Sequence, residues 1–256
     1  MRWATAILVI LSCCAQAIAQ ERLVISLSNQ RVAITSNFAG EHLVLFGTVK
    51  REGDAPHHDR GYDVVVTVTG PKQTLRTRRK TRVLGVWVNV DSREFVGVPG
   101  YLAVLSNRPV TEIANRETLR RLQIGLDNFI LRQHIGPDFA DTVPDDPFRL
   151  AFVRLENEHG LYAQDGNAVT FLTPEVFRAS IPLPSNVPTG DYSVDVKLFA
   201  DGKMIAHTNT GLDIIKAGFE QYVADAARDY GLLYGLATML MALMTGWIAS
   251  VLFRRD

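Results

Sequence analysis

The sequence predicts a mainly β protein: an immunoglobulin-like β-sandwich with a helical insert, followed by one C-terminal transmembrane helix. Three observations predict it. Apolar residues alternate at a period of two through the first half and again near residue 195, as half-buried strands require. The middle changes to helical spacing. A long apolar run without a charged residue then closes the chain.

Residues 1–19 have the three parts of a secretory signal. Arg2 is the positive start, Ala4 to Ala17 is apolar, and Ala17-Ile18-Ala19 offers small residues to a signal peptidase. Cleavage is expected between Ala19 and Gln20. An uncleaved anchor would need roughly 20 mostly apolar residues, and this run is shorter, with Gln16 inside it. The segment Ile10-Leu11-Ser12-Cys13 is similar to a lipoprotein cleavage box, but Leu11 is bulky for one.

Residues 20–217 are expected to form the β-rich domain. Leu23, Ile25 and Leu27 alternate, as do Val32 and Ile34; His42 to Lys50 follows Gly40. Tyr62 to Thr69 alternates through Val64, Val66 and Val68 until Gly70-Pro71 stops it. Leu84 to Val90 and Tyr101 to Leu105 continue the series around Pro99-Gly100. Short strands with turn signals about every ten residues suggest a sandwich.

A helical segment is expected over about 115–159. Leu119, Leu122, Leu126, Phe129 and Ile130 have helical spacing, with Asn115 as N-cap and Gly136-Pro137 as the stop. A second helix has Asp146 as N-cap and Pro147 at its first position. Phe148, Ala151, Phe152 and Leu155 share one face, and Gly160 follows it. Strands return with Tyr192, Val194, Val196 and Leu198. Asp201-Gly202 then supplies the tight turn of a hairpin. One sandwich and two domains remain open alternatives.

Phe219, Tyr222, Val223, Ala226 and Tyr230 form a helical stripe, giving a juxtamembrane helix over 218–229. No charge lies between Asp229 and Arg254. At ~1.5 Å per residue, 230–253 is about 36 Å long, enough to cross a ~30 Å hydrocarbon core. Tyr230 and Tyr234 mark one interface, Trp247 and Phe253 the other; Arg254 and Arg255 then place the tail, 254–256, in the cytoplasm.

Lys and Arg number 27, as do Asp and Glu, so the basic footprint of a nucleic-acid binder is missing. Both cysteines, Cys13 and Cys14, leave with the signal, and no glycosylation sequon is present. A bacterial periplasmic domain on an inner-membrane anchor is the expected setting. No nucleophile elbow, phosphate loop, dinucleotide fingerprint or zinc helix occurs, and no cofactor is expected.

Three patterns carry candidate function. Asp54-Ala55-Pro56-His57-His58-Asp59 clusters metal-competent side chains, but ligands so close in sequence rarely complete a shell, and a solvated loop is the favoured reading. Arg76, Arg78, Arg79, Lys80 and Arg82 alternate with Leu75, Thr77 and Thr81, which favours a charged edge strand over an anion or lipid site. In the span, Gly231, Gly235, Ala242 and Gly246 form a small-residue face with Thr238 and Ser250. Such a face allows a second helix close approach.

Ser36-Asn37-Phe38 with Gly40, Phe46-Gly47, Gly70-Pro71, Trp87-Val88-Asn89 and the Val187-to-Tyr192 segment carry a likeness. So do Leu233-Tyr234-Gly235, Gly246-Trp247 and Phe253-Arg254-Arg255. Together they resemble a family of alphaproteobacterial transmembrane proteins of unknown function, over essentially the whole chain. The resemblance implies a signal peptide and one C-terminal span, and no catalytic residues. It also implies a transport-related setting, through an association with sulfite-exporter-type permeases.

The expectation is therefore a non-enzymatic accessory or assembly protein. Its partners would be membrane lipid and either another integral membrane protein, such as a permease, or a second copy of itself. The alternative is a membrane-tethered metal- or anion-binding enzyme using the His57-His58 loop or the basic strand.

Overall fold

Alternation is what builds the sheets. In the strand Glu41–Arg51, Leu43, Leu45 and Val49 point inward, while His42 and Phe46 point out. The computed structural model describes residues 21–51, 61–135, 138–218, 223 and 227–252. Among them the strands are β1 (Glu21–Leu27), β2 (Arg31–Ile34), β3 (Glu41–Arg51), β4 (Asp63–Thr69), β5 (Lys72–Val83), β6 (Val86–Pro99), β7 (Leu102–Ser106), β8 (Arg132–Ile135), β9 (Asp138–Asp141), β10 (Tyr162–Asp165), β11 (Val169–Phe171), β12 (Val176–Leu183), β13 (Gly190–Ala200) and β14 (Lys203–Lys216). The helices are α1 (Val110–Ile113), α2 (Arg116–Arg121), α3 (Pro147–Glu158) and α4 (Gly231–Leu252). The mainly β class with a C-terminal apolar helix is as the sequence predicts.

One sheet has the order β1-β3-β12-β11 and a second β10-β7-β4-β13-β14-β2. Strands from both halves of the chain pair within each: β3 with β12, and β4 with β13. The two sheets share a core of Leu43, Leu45, Val64, Val66, Phe177, Ile181, Val194 and Val196. The strand order departs from a purely antiparallel sandwich at two places, since β7·β10 and β2·β14 run parallel.

The six-stranded sheet is covered on its outer face too. Val65, Val104 and Phe199 lie there under Ile113 and Leu119 of the α1–α2 segment. Burial on both faces explains why Val64-Val65-Val66 and Leu102 to Leu105 read as continuous apolar runs. In the four-stranded sheet Phe177 lies flat on Gly47, where an added Cβ would meet its ring carbon at 2.1 Å. Glycine at that position is a packing requirement.

A third sheet, β5-β6-β8-β9, packs with α3 around Phe95, Val98, Phe129, Leu131, Phe148, Phe152 and Tyr162. The α3 start is as read from sequence: Asp146 accepts from the amides of Phe148 and Arg149, with Pro147 following. Its buried face differs. Leu155 is 37% exposed, while Arg149, only 4% exposed, joins Phe148 and Phe152 on the inner side.

The expected helix through Leu126, Phe129 and Ile130 stops early, and the same arginine holds the chain that follows the break. Asn115 does cap α2, accepting from the Thr118 amide at 2.8 Å, but the helix ends at Arg121 and Gln123 has φ +53°. The Arg149 guanidinium donates to the carbonyls of Asp127, Phe129 and Thr142 and stacks over the Phe129 ring at 5.0 Å. Those carbonyls are therefore turned to a distant cation instead of along a helix axis. The signal segment with its Ala19–Gln20 cleavage point, the Asp54-to-Asp59 loop, Gly136-Pro137, most of the juxtamembrane stretch and residues 253–256 lie outside the described residues.

Candidate functional site

The small-residue face falls on α4, a helix of 22 residues. At 1.5 Å per residue it is about 33 Å long, the thickness of a hydrocarbon core. Gly231–Ser250 is apolar enough to cross a membrane and is not buried against the other described residues. At 100° per residue, Gly231, Gly235, Ala242 and Gly246 lie within about a quarter of the helix circumference. A Cβ added at any of these three glycines would meet nothing within 4 Å. The hydroxyls of Thr238 and Thr245 donate to the carbonyls of Gly235 and Met241 inside the helix, leaving the surface apolar. Leu232, Leu236, Leu240 and Leu243 are exposed on other faces.

The basic run falls on β5, the outermost strand of the third sheet. The edge-strand reading is right at the base, where Leu75 is half-buried and Thr77 buried. Beyond Thr77 the strand leaves the domain: with β6 it forms a two-stranded ribbon in which every residue from Arg78 to Ser92 is exposed. At ~3.3 Å per residue the ribbon reaches about 20 Å past its last buried pair. β8 pairs with β6 only at Phe95 and Val96, so among the described residues both outer edges of the ribbon are unpaired. Arg79 and Arg93 stack on the Phe148 ring, at 6.0 and 5.0 Å, and hold the base against α3.

Cross-strand pairing sorts the ribbon's side chains. Val83 faces Val86 and Thr81 faces Val88, giving an apolar side; Arg82 faces Trp87 and Lys80 faces Asn89, giving a basic side. Arg76 and Arg79 pair with Glu94 and Asp91 at 2.5 and 3.8 Å. Among the described residues Arg78, Lys80 and Arg82 have no ion-pair partner; Arg82 donates to the Gly85 carbonyl of the turn. Sequence reading missed the turn itself, because Leu84 is no turn signal. Leu84 and Gly85 nevertheless form a two-residue loop with φ of +49° and +87°.

An open groove of about 780 Å³ lies over the outer face of the six-stranded sheet. It brings together Thr67, Lys72, Phe129, Arg132, Lys197 and His207 from five strands and a loop, a set no sequence spacing reveals. Lys197 is paired with Asp195, and the buried Thr67 hydroxyl has no hydrogen-bond partner among the described residues. The groove takes Lys72 from the base of β5 and none of the basic residues further along it.

The buried polar groups elsewhere are structural pins. Asp63 takes both Nε and a terminal nitrogen of Arg108, at 2.7 and 2.5 Å, tying the start of β4 to the end of β7. The Tyr101, Tyr162 and Tyr192 hydroxyls donate to the carbonyls of Pro182, Pro99 and Pro188, and burial raises the pKa of each. Tyr62 is pushed up to about 12 by burial and by its hydrogen bond to Glu21. No cluster of three metal-competent side chains occurs among the described residues.

Among the described residues a β-rich domain is joined in sequence to one exposed apolar helix of membrane length, an arrangement that fits a single-pass membrane protein. The chain belongs to the family described as "Putative transmembrane protein (Alph_Pro_TM)", which it matches over residues 22–255. No curated protein matches the chain.

Proposed function

We propose that this is a non-enzymatic accessory or assembly protein of a bacterial inner membrane. Its β-rich part stands in the periplasm and its tail in the cytoplasm. The helix α4 docks on a second membrane helix, supplied by another copy or by a neighbouring permease. The observation that carries this reading is the smooth face of α4, where open space lies over Gly231, Gly235 and Gly246. Lipid gives no hydrophobic drive between helices, so association depends on close backbone contact of this kind. Gly235→Leu with Gly246→Leu should abolish partner cross-linking and co-purification from native membranes while insertion is unchanged. Leu240→Ala, on another face, should leave association intact. Retention of every partner by the double variant would reduce α4 to an anchor.

A second reading, a membrane-tethered anion-binding enzyme, draws on the groove, where Lys72, Arg132, Lys197 and His207 meet with a single carboxylate. Calorimetric titration of the full-length protein with inorganic phosphate and sulfate tests it. Binding that is lost in Lys197→Met would favour this reading.

A further inference from the structure

Two features of the β5–β6 ribbon are unexplained by the fold. Its distal half contributes nothing to any core, yet it is apolar: Val83, Leu84, Val86, Trp87, Val88 and Val90 are all exposed, Leu84 completely so. Its turn also breaks a local preference. Two-residue hairpin loops with positive φ at both positions favour Asn-Gly or Asp-Gly, and a bulky side chain at φ +49° is strained. A strained, fully exposed leucine at the point furthest along a ribbon marks a function more readily than a folding need.

The surroundings of the tip indicate what covers it. Arg78, Lys80 and Arg82 have no ion-pair partner among the described residues, and no acidic residue lies between Arg76 and Val90. Trp87 is level with its partner Arg82, one pair behind the Val83–Val86 tip, and Lys80 and Arg78 lie further back along the ribbon. Apolar tip, aromatic belt and cationic collar match acyl chains, interface and anionic headgroups. The chain is already held at a bilayer by α4. Depth is limited by chemistry, since the ribbon's outer edges carry unpaired backbone groups that cannot enter hydrocarbon.

We propose that the β5–β6 ribbon docks its tip shallowly into the bilayer that α4 crosses. Val83, Leu84, Val86 and Trp87 act as the wedge, and Arg78, Lys80 and Arg82 as contacts to anionic lipid. The domain is then held by two points, the helix and the ribbon, instead of one.

The test uses the full-length protein with Trp3→Phe and Trp247→Phe, which leaves Trp87 as the only tryptophan. It is reconstituted into vesicles of zwitterionic lipid with and without phosphatidylglycerol. The expected result is blue-shifted Trp87 emission that brominated lipid quenches when the bromines lie high on the acyl chain, and that is strongest with the anionic lipid. Leu84→Asn with Val86→Ser should return the emission to that of a water-exposed tryptophan, with circular dichroism unchanged. Lys80→Gln and Arg82→Gln should each lower the docked-to-free ratio about fivefold in anionic vesicles, the effect of one basic residue near such a surface. Trp87 emission that is water-exposed and unquenched in every vesicle would overturn the proposal. Shielding that appears only when a native membrane-protein extract is added would overturn it equally, in favour of a protein partner.

Discussion

The β13–β14 and β5–β6 hairpins share a local geometry and have opposite fates. Each is long, and each is closed by two residues at positive φ, Asp201-Gly202 in one and Leu84-Gly85 in the other. In β13, Val194, Val196, Leu198 and Phe199 are completely buried, because the sandwich covers one face and the α1–α2 segment the other. In the distal β5–β6 ribbon no residue is buried. Hairpin geometry is therefore decided within a few residues, whereas burial is decided by what arrives from elsewhere in the chain. The turn residue records the difference: Asp-Gly serves the fold, while Leu-Gly works against it locally.

Truncation should separate the two hairpins most sharply. Phe199→Ala is expected to destabilise the protein by about 3–5 kcal/mol in chemical denaturation of the detergent-solubilised chain, because it opens a cavity on the covered face. Alkaline unfolding should come next. Tyr62, Tyr101, Tyr162 and Tyr192 all have raised pKa values when folded, and β5–β6 contains no tyrosine. The unfolded chain ionises first, so the tyrosines' contribution to stability should be level below pH ~10 and fall above it, while the ribbon's own contacts are unaffected. The melting temperature measured across that range, together with tyrosinate absorbance, decides this.

Gly47→Ala should cost about 1–3 kcal/mol by forcing the Phe177 ring aside, whereas Gly231→Ala, in open space on α4, should change nothing in the same melt. Exchanging turn chemistry gives smaller, opposite effects. Leu84→Asn should raise stability by about 1 kcal/mol and Asp201→Leu lower it by about the same, since Asn and Asp tolerate the left-handed region and Leu does not. Equal responses at the two turns would erase the distinction drawn between them. The smallest effect is expected at Trp87→Ala, within about 0.5 kcal/mol.

Elements whose signals are local were legible in the sequence. The caps of α3, the Asp201-Gly202 turn and the apolar span each depend on residues a few positions apart. The small-residue face was legible for the same reason, because Gly231, Gly235, Ala242 and Gly246 need only helical periodicity to come together. What failed depended on distant groups. The helix expected through Ile130 ends at Arg121, and the chain beyond the break is held by distant Arg149, whose guanidinium takes the carbonyls of Asp127 and Phe129. On α3 Leu155 is exposed while Arg149 is buried, because Arg149 finds its carbonyl partners in a distant loop. The groove was invisible since Thr67, Arg132 and Lys197 share no spacing, and the ribbon was read as separate strands because Leu84 gives no turn signal.

The parallel pairing of β2 with β14 sets an order of events. Ala33 lies opposite Ile215, near the two ends of the β-rich domain. A strand made among the first must wait for one made among the last, and closing so long a loop is slow compared with the neighbouring antiparallel hairpins. Gly231, where α4 begins, follows soon after Lys216. As the chain grows from its N-terminus, that edge of the sheet can close only once β14 has been made, about fifteen residues before α4 begins.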